Sequence, residues 1–472
     1  PNFSLLFLYI LNARAVLRGL PESMMEKPMK KRTYILYTGI IAFCFLYTGS
    51  AYMSQSYRLF DYYDEITVDL ITSVAFYLLH GLGIGVFILG LYRKPEIFSS
   101  RKTYMFTLIL GTLFMAVSQL SDNGFLIQFF SYGFHFLVGI YFGYYLTFWA
   151  QHIPQGNSGF YFGIAYAFAS LGTYFLSRIH GGVFLVSKEI TAVYLILAAI
   201  TIALVYVAED IDLREKKADR SSFQNLNLPY HLLLVALMTI VFSIGSELYY
   251  SLPVANGVNW NLIRAYYAIG LILAGFVIDR NLLIGEICSV ASLVYPLISA
   301  ALIGNGVSSV AALSFSYVIR GFITIYYVIV FTNLSAKSKK LLPLAAMGLM
   351  TSRITEAVIS LILLTTAIPS TIQLILAAVF TIPLLIVFVL LQNKRNELPL
   401  SEEKRLSLYA EKYELTSREA EILKCLKEGL SDTEIAEKLF ISRNTVRFHI
   451  SNLLKKTKSS SRTEIVRSFD QF

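Results

Sequence analysis

The sequence predicts an all-α protein in which a polytopic membrane helix bundle precedes a small helical domain at the C-terminal end. The composition is the first observation: 56% of the 472 residues are hydrophobic and 15% are charged, and the mean hydropathy is +0.59. Long apolar stretches recur from about residue 33 to residue 392, each near the ~20 residues that cross a bilayer as a helix. After residue 414 the chain changes to short, polar, capped helices. These features exclude an ordinary soluble protein.

The N-terminal segment, residues 1–32, is predicted to be a loose or interfacial stretch on the cytoplasmic side. Its apolar run from Phe3 to Leu11 is too short to span a bilayer. No small-residue cleavage site is evident after it, so the run is a poor signal peptide.

The transmembrane domain is predicted to cover residues 33–392 with about twelve spans, an error of one being expected. Each span is placed on an uninterrupted apolar stretch bounded by polar residues. The predicted spans are 33–54, 68–92, 103–120, 124–149, 159–180, 189–208, 229–251, 259–279, 281–303, 308–334, 341–366 and 370–392.

Basic residues are distributed unevenly between the two sides of these spans. Counted from a cytoplasmic start, the inward loops carry eighteen Lys and Arg, whereas the outward side has Arg58, Arg178 and Lys188. Because positive residues stay on the cytoplasmic side, both termini are predicted to be cytoplasmic. The inward residues are Lys27, Lys30, Lys31, Arg32, Arg93, Lys94, Arg101, Lys102, Arg214, Lys216, Lys217, Arg220, Arg280, Lys337, Lys339, Lys340, Lys394 and Arg395.

The longest polar connection, residues 208–229, separates six spans from six. Between predicted spans 8 and 9 the chain reads Gly275-Phe-Val-Ile-Asp279-Arg280. The 6+6 division and this G-x-x-x-D-R pattern resemble the major facilitator superfamily. The equivalent N-terminal turn, from Gly90, is basic but lacks the Asp. The resemblance implies a transporter-like helix bundle.

Ionisable side chains lie at depth in the second half of this domain. Charge in hydrocarbon is costly, so such residues usually face the interior of the bundle. One interpretation is internal pairing, Arg353 with Glu356 and Glu247 with Arg264. The other is a ligand site in which Arg320 and Arg353 hold an anionic or hydroxylated group. The candidate ligand-binding residues are Arg320, Arg353, Glu356, Glu247 and Arg264, and His80 and His135 lie at depth in the first half.

The sequence offers little for catalysis or for a cofactor. Cys44, Cys288 and Cys425 lie far apart and form no C-x-x-C pair. The acidic loop at residues 61–69 is better explained as a solvated face than as a metal site. No catalytic residue, metal site or cofactor is predicted, and the protein is not expected to be an enzyme.

Residues 393–414 are predicted to be a linker that is helical from about Ser401 to Tyr413. After it, helix starts are marked by capping boxes at Thr416/Glu419, Ser431/Glu434 and Ser461/Glu464. Ser442 is a fourth N-cap candidate, and Gly429 stands where the first helix should end. Residues 415–472 are thus predicted to form a four-helix domain.

The helix after Ser442 is predicted to bind DNA. If Val446, Ile450 and Leu453 face the core, the outer face is polar and basic, which suits the acceptors of a major groove. From Arg443 to Phe472 there are seven Lys and Arg against two acids, which adds attraction for phosphates. The predicted DNA-binding residues are Ser442, Arg443, Asn444, Thr445, Arg447, Phe448, Ser451 and Lys455.

The segments LTSREAEIL, SDTEIA, LFISRNTV, TVRFHISNLLKK and SRTEIV follow one another over about 55 residues. In this order they closely resemble the LuxR/FixJ-type helix-turn-helix. The resemblance implies that Arg447, Phe448 and Ser451 reach into the groove and that the fourth helix mediates dimerisation. The alternative is an amphipathic four-helix tail used for protein contacts.

Together these features predict a membrane-embedded one-component transcriptional regulator. A small molecule would shift the membrane domain between two arrangements, the linker would pass on the shift, and a homodimeric helix-turn-helix would bind promoter DNA. The whole arrangement resembles bacterial membrane-bound LuxR-type regulators with a transporter-like sensor. The resemblance implies a multi-pass protein of a bacterial inner membrane. The alternative is a secondary transporter with a regulatory DNA-binding tail.

Overall fold

The computed structural model describes residues 22–179, 184–213, 227–250, 260–304, 308–366, 368–397, 402–470 and 472. Within its helices, the side chains of residues 22–30, 247–250 and several single positions, Arg264 among them, are not described. The prediction for most of the N-terminal segment, residues 1–21, falls outside the described residues.

The described residues of the membrane part form long α-helices joined by short turns. The second helix contains a π-helical stretch, Leu70–Ala75. In chain order the helices are α1 (Glu22–Leu59), α2 (Glu65–Arg93), α3 (Arg101–Leu120), α4 (Gly124–His152), α5 (Ser158–Leu176), α6 (Ile190–Val207), α7 (Leu228–Tyr250), α8 (Trp260–Arg280), α9 (Leu282–Ala291), α10 (Tyr295–Gly304), α11 (Ser309–Ser335), α12 (Met347–Thr366) and α13 (Ser370–Glu397).

Ten of the described helices, α1–α7 and α11–α13, are long and apolar enough to cross a membrane. They coincide with ten of the twelve predicted spans, and α8 lies where the eighth was predicted. The ninth predicted span, 281–303, is not one helix: α9 ends at Ala291, a 3₁₀ turn covers Ser292–Val294, and α10 follows. The expectation of twelve uninterrupted spans is therefore corrected at the ninth.

The interruption has a local chemical cause. Pro296 has no N–H with which to continue the helical hydrogen bonds back to Ser292. The hydroxyls of Ser289 and Ser292 donate to the carbonyls of Gly285 and Ser289, at 2.7 and 2.6 Å, and such bonds bend helices. Apolar periodicity carries no sign of either effect.

Close helix crossings in the bundle depend on glycine. A Cβ on Gly83 of α2 would lie 2.1 Å from the Phe136 carbonyl oxygen, and one on Gly139 of α4 would lie 2.2 Å from the His80 carbonyl oxygen. Helices in a membrane associate largely by close backbone packing, so these glycines set the spacing between α2 and α4.

Arg58, one of the three basic residues predicted to face outward, joins α1 to the end of α3. Its side chain is buried and donates from Nη1 to the Ser118 carbonyl at 2.8 Å and from Nη2 to the Ser121 carbonyl at 2.5 Å. The last carbonyls of a helix have no partner within it and carry partial negative charge. Arg58 therefore supplies hydrogen-bond donors to these carbonyls and a positive charge beside them.

The chain divides after Leu391 into two compact units. In the second unit the described helices are α14 (Glu402–Lys412), α15 (Ser417–Lys427), α16 (Asp432–Leu439), α17 (Arg443–Thr457) and α18 (Arg462–Asp470). Their core includes Val446, Ile450 and Leu453, the three residues of the predicted DNA-binding helix that were expected to face inward. It consists of Tyr409, Ile422, Leu423, Cys425, Leu426, Ile435, Ala436, Val446, Ile450, Leu453, Ile465 and Phe469.

Candidate DNA interface and membrane site

Capping hydrogen bonds fix the starts of α15 and α16. The Glu419 N–H donates to Thr416 Oγ1 at 3.3 Å, and the Glu419 carboxylate accepts from the Thr416 N–H at 2.8 Å. Ser431 and Glu434 make the same two bonds, at 3.4 and 2.7 Å. Gly429, at φ +78°, follows the last turn of α15. These predicted capping features are confirmed, and they satisfy N–H and C=O groups that helix ends leave free.

The third predicted capping box is only half formed. The Glu464 N–H donates to Ser461 Oγ at 3.2 Å. The Glu464 carboxylate instead accepts from the Ser460 N–H at 2.6 Å and from the Ser460 hydroxyl at 2.5 Å. With two serines side by side, spacing alone does not decide which N–H the carboxylate takes.

The helix α17 presents the predicted DNA-binding face to solvent. The Thr445 N–H donates to Ser442 Oγ at 3.1 Å, which confirms Ser442 as the N-cap. Val446, Ile450 and Leu453 are buried. On the other face Thr445 is partly buried, and the remaining predicted residues are exposed: Ser442, Arg443, Asn444, Arg447, Phe448, Ser451 and Lys455.

Two phenylalanines are exposed in and beside α17. Phe448, a predicted DNA contact, is 63% exposed. Phe440, in the turn before Ser442, is 95% exposed and has a φ of +54°. Few non-glycine residues adopt that left-handed conformation. The Ile441 N–H reaches back to the Ala436 carbonyl at 3.0 Å, which closes the end of α16. No pattern in the sequence indicated that Phe440 would be so exposed.

One of the seven basic residues points inward. Lys456 Nζ donates to the Glu419 carboxylate at 2.8 Å and to the Glu414 carbonyl at 2.7 Å. Burial by itself would raise the pKa of Glu419, but the hydrogen bonds from Lys456 and Thr416 outweigh it and hold that pKa below its ordinary value. Lys456 thus serves the fold of the tail rather than the outer face of α17.

Arg447, the predicted base reader, is already engaged within the domain. Its Nε donates to Asp432 Oδ2 at 3.2 Å, while its side chain remains 67% exposed. Arg462 of α18 donates from Nη2 to the other oxygen of the same carboxylate. Asp432 is the first residue of α16, so one carboxylate links three helices of the tail.

The helical part of the predicted linker packs into the tail. Tyr409 of α14 is fully buried, its hydroxyl donates to Ser468 Oγ at 3.1 Å, and its ring meets that of Phe469 edge-on at 5.3 Å. Lys427 Nζ lies 2.9 Å from a carboxylate oxygen of Glu402. Residues 402–412 are therefore built into the domain that sequence reasoning began at residue 415.

In the membrane part, Arg353 and Glu356 pair within α12. Their Nη1–Oε2 distance is 3.1 Å, and both side chains are mostly buried. The Arg353 guanidinium also lies over the ring of Tyr77 on α2, 4.5 Å from its centroid. The predicted internal pair is confirmed, and it touches the first half of the domain. The other predicted pair, Glu247 with Arg264, involves side chains outside the description.

Arg320 of α11 lies against aromatic rings. Its guanidinium is 4.6 Å from the ring centroid of Phe242 on α7 and 5.4 Å from that of Tyr317. Arg320 and Arg353 are therefore both held over aromatic rings of other helices, Arg320 over Phe242 of α7 and Arg353 over Tyr77 of α2. Of the three predicted residues Arg320, Arg353 and Glu356, the structure pairs Arg353 with Glu356.

A chain of buried hydrogen bonds runs through the first half. Gln55 Nε2 donates to Ser118 Oγ at 2.7 Å, so Gln55 Oε1 accepts from His135 Nε2, 3.0 Å away. In a neutral ring His135 Nδ1 is then the acceptor, and His80 Nε2 donates to it at 2.9 Å. Sequence reasoning placed both histidines at depth but had no signal for their contact or for Gln55.

Several buried polar atoms lack hydrogen-bond partners among the described residues. They include His80 Nδ1, left as an acceptor by the hydrogen-bond chain, and Arg353 Nε, a donor. An unmet buried polar group is costly, so these two atoms are available to a guest in the interior of the bundle.

The G-x-x-x-D-R pattern links the two halves of the membrane domain. Asp279 at the end of α8 accepts from the N–H groups of Gly159 and Phe160, at 2.8 and 2.7 Å, where α5 begins. A helix N-terminus carries partial positive charge and favours a carboxylate. A Cβ on Gly275 would lie 2.1 Å from the Gly159 carbonyl oxygen, so glycine permits this crossing.

Comparison with known families accounts for the C-terminal part. The family described as bacterial regulatory proteins, luxR family, matches residues 413–469. These residues form a luxR-family helix-turn-helix domain. Its capped helices, buried core and exposed α17 are those described above.

Two curated regulators are similar to this chain over a stretch of about 50 residues. The CsgBAC operon transcriptional regulatory protein of Escherichia coli is 54% identical over 52 residues, 11% of this chain and 24% of that protein. The nitrate/nitrite response regulator protein NarL of Escherichia coli is 45% identical over 51 residues, again 11% and 24%. The match therefore spans about a quarter of the length of these relatives.

Solved transporter structures are similar to the membrane part. The Major Facilitator Superfamily transporter FucP, in the outward conformation, is 14% identical, with a TM-score of 0.44, over 72% of this chain and 98% of that chain. The nucleoside transporter NupG is 12% identical, with a TM-score of 0.49, over 75% and 99%.

Proposed function

We propose that this protein is a one-component transcriptional regulator that senses a small molecule through its membrane domain and binds promoter DNA through its luxR-type domain. The observation that carries the proposal is that Arg320 and Arg353, charged groups held against aromatic rings inside a membrane bundle, share one chain with a DNA-binding domain. Neither part implies catalysis, and no cofactor is invoked.

The ligand site is proposed to centre on Arg320, Arg353 and Glu356. A charge at the centre of a bilayer costs roughly 2.5–3.5 kcal/mol on insertion scales, so such residues persist where they serve a purpose. Arg353 Nε offers an unused donor and His80 Nδ1 an unused acceptor. An anionic or phenolic molecule supplies an acceptor for Arg353 Nε. Through a hydroxyl, it also supplies a donor for His80 Nδ1. Glu247 and Arg264 remain part of the proposed site on sequence grounds.

The switch is proposed to be a shift between two arrangements of the halves. Tyr77 belongs to the first half, whereas Arg320, Arg353 and Phe242 belong to the second. A ligand shifts an equilibrium only if it binds the two arrangements with different affinities. A ligand that contacts both halves meets this condition, because the spacing between the halves differs in the two arrangements. The bonds from Gly159 and Phe160 to Asp279 are contacts that such a rearrangement would have to break.

Transmission is proposed to run from α13 to α14. Only residues 398–401 separate the end of α13 at Glu397 from Glu402, the first residue of α14. Because Tyr409 anchors α14 in the core of the luxR-type domain, a movement of α13 is delivered to a folded unit. We propose that it alters dimerisation or the presentation of α17, and that two copies bind one operator.

The orientation is also a proposal. The excess of Lys and Arg in alternate loops, eighteen against three in the sequence, supports cytoplasmic termini in a bacterial inner membrane. That orientation places the luxR-type domain on the side where the chromosome lies.

The test is a thermal-stability screen of the purified full-length protein against small aromatic carboxylates and phenols. A compound that stabilises the wild type should fail to stabilise Arg320→Gln. Arg280→Gln is the matched control, because Arg280 also lies over a phenylalanine ring, 4.7 Å from the centroid of Phe276, but at the end of α8. The same compound should change transcription from a promoter that the protein occupies in cells.

The outcomes separate the proposal from its rival. A compound that binds, is taken up by liposomes containing the protein, and leaves transcription unchanged would favour a secondary transporter with a DNA-binding tail. Equal stabilisation of the wild type and Arg320→Gln would place the site elsewhere.

A further inference from the structure

The carboxylate of Asp432 stands between two arginines. Each of its oxygens takes a different partner, Arg447 from α17 and Arg462 from α18. The Asp432 side chain is 21% exposed, against 67% for Arg447. The ion pairs of Asp432 with Arg447 and Arg462 are not needed to start α16, because Ser431 and Glu434 already cap it. Asp432 is absent from the predicted DNA-binding residues, and this arrangement gives it a role.

The atom that Arg447 uses is informative. It donates to Asp432 through Nε, on the side of the guanidinium nearest the chain. This bond does not use the two terminal nitrogens of the planar group. Those nitrogens form the fork that matches O6 and N7 of guanine in the major groove. Because the guanidinium is planar, a bond at Nε restricts the plane in which the fork lies.

Arg462 restrains the carboxylate in turn. Without it, Asp432 would be free to follow Arg447 as that side chain rotates. With one oxygen held by α18 and the other by α17, the carboxylate is fixed by two elements of the folded domain. The Arg447 side chain therefore loses part of its rotamer freedom before DNA is met, which is the effect of preorganisation on binding.

We propose that Asp432 is a positioning residue that orients Arg447 for bidentate recognition of a guanine. The inference rests on the proposed DNA-binding function and deepens it by naming the base and the group that aims its reader. Asp432 also repels phosphates, so it lowers affinity for random DNA while it sharpens the preference for one base. Its two effects on DNA binding have opposite signs.

The experiment uses the full-length protein in lipid nanodiscs and a pool of random-sequence duplexes. Sequencing of the bound fraction gives the base preference at each position, and titration of unselected duplex over a range of salt gives the sequence-independent affinity. The wild type should show a guanine preference of about 5- to 150-fold at one position of each half-site. Arg447→Ala should abolish the preference at that position and no other.

Asp432→Asn should move the two readouts in opposite directions. The guanine preference should fall to within about threefold of the other bases, because the fork is no longer aimed. Affinity for unselected duplex should rise, and the salt dependence should steepen by up to one phosphate contact, a log–log slope of about 0.9. In an Arg447→Ala background, Asp432→Asn should leave the base preference unchanged and still raise the affinity for unselected duplex.

Two further variants keep the result decisive. Asp432→Glu keeps the charge but moves the carboxylate by one methylene group, so it should weaken the guanine preference without raising affinity for unselected duplex; it also decides the matter if Asp432→Asn does not fold. Glu437→Gln removes an exposed acid from the same helix and should leave the base preference unchanged.

An unchanged guanine preference in Asp432→Asn or Asp432→Glu overturns the inference while leaving DNA binding intact. The inference is also overturned if Arg447→Ala lowers the affinity for DNA but leaves the base preference unchanged, because Arg447 is then a phosphate contact. Failure of the wild type to bind any duplex would instead overturn the proposed function itself.

Discussion

Replacing Tyr409 tests whether α14 is part of the DNA-binding domain or a linker leading to it. Tyr409 has no exposed surface, and its ring contacts those of Tyr413, Phe469 and Phe472 at centroid distances of 4.6, 5.3 and 5.3 Å. A buried aromatic side chain removes about 150–250 Å² from water, worth about 4–6 kcal/mol at 25 cal/mol per Å². Allowing for a partly compact unfolded chain, Tyr409→Ala should cost about 3–4 kcal/mol.

That loss is large for a domain of this size. At roughly 0.05–0.15 kcal/mol per residue, a segment of some 70 residues is stable by about 4–10 kcal/mol. Tyr409→Phe removes only the hydrogen bond to Ser468 Oγ, at 3.1 Å, and should cost about 1 kcal/mol. Tyr413→Ala is the control, since Tyr413 is only partly buried and lies beside the core.

The assay is urea denaturation of residues 402–472, followed by circular dichroism at 222 nm. The free energy of unfolding should be far lower for Tyr409→Ala than for Tyr409→Phe or Tyr413→Ala. Equal stability of Tyr409→Ala and the wild type would refute the reasoning, and residues 393–414 would then be the linker that the sequence predicted.

The remaining predictions concern orientation, the membrane site, the halves of the bundle and pH. A phosphatase that is active only outside the cytoplasm should be inactive when fused after Asn393, and strong activity there contradicts cytoplasmic termini. Arg320→Gln should abolish the response to an inducing compound but not membrane insertion or basal DNA binding; a normal response shows the residue to be structural. Asp279→Asn should weaken the contact between α5 and α8 by about 1–2 kcal/mol, measured as slower disulfide formation, under an added oxidant, between cysteines introduced on either side of this crossing. An unchanged rate would show that the carboxylate does not stabilise the contact. The pKa of Glu419 is lowered in the folded domain, so its carboxylate stabilises the luxR-type domain above its unfolded pKa of ~4.3. That stability is lost as the pH falls through the pKa of Glu419 in the folded domain. Glu419→Gln should remove this acid sensitivity, whereas Glu437→Gln should keep it.

Much of this protein was determined by the sequence itself because the relevant signals are local. Helix starts at Thr416, Ser431 and Ser442 follow from side chains that reach three residues along the chain. Membrane spans follow from the length of apolar stretches, and the inward face of α17 follows from the spacing of Val446, Ile450 and Leu453. The pairing of Arg353 with Glu356 was also predictable, since residues three apart share a helix face.

Contacts between distant residues were decided only by the tertiary structure. His80 meets His135, Arg353 meets Tyr77, and Asp279 meets the start of α5 across separations that no periodicity encodes. The break between α9 and α10 depends on a proline and two serines rather than on apolarity, which stays high through it. Tyr409 and Asp432 show the same limit. In the sequence Tyr409 lies in the predicted linker and Asp432 at a predicted helix start. Each acquires its role from a partner more than ten residues away along the chain that packing brings near.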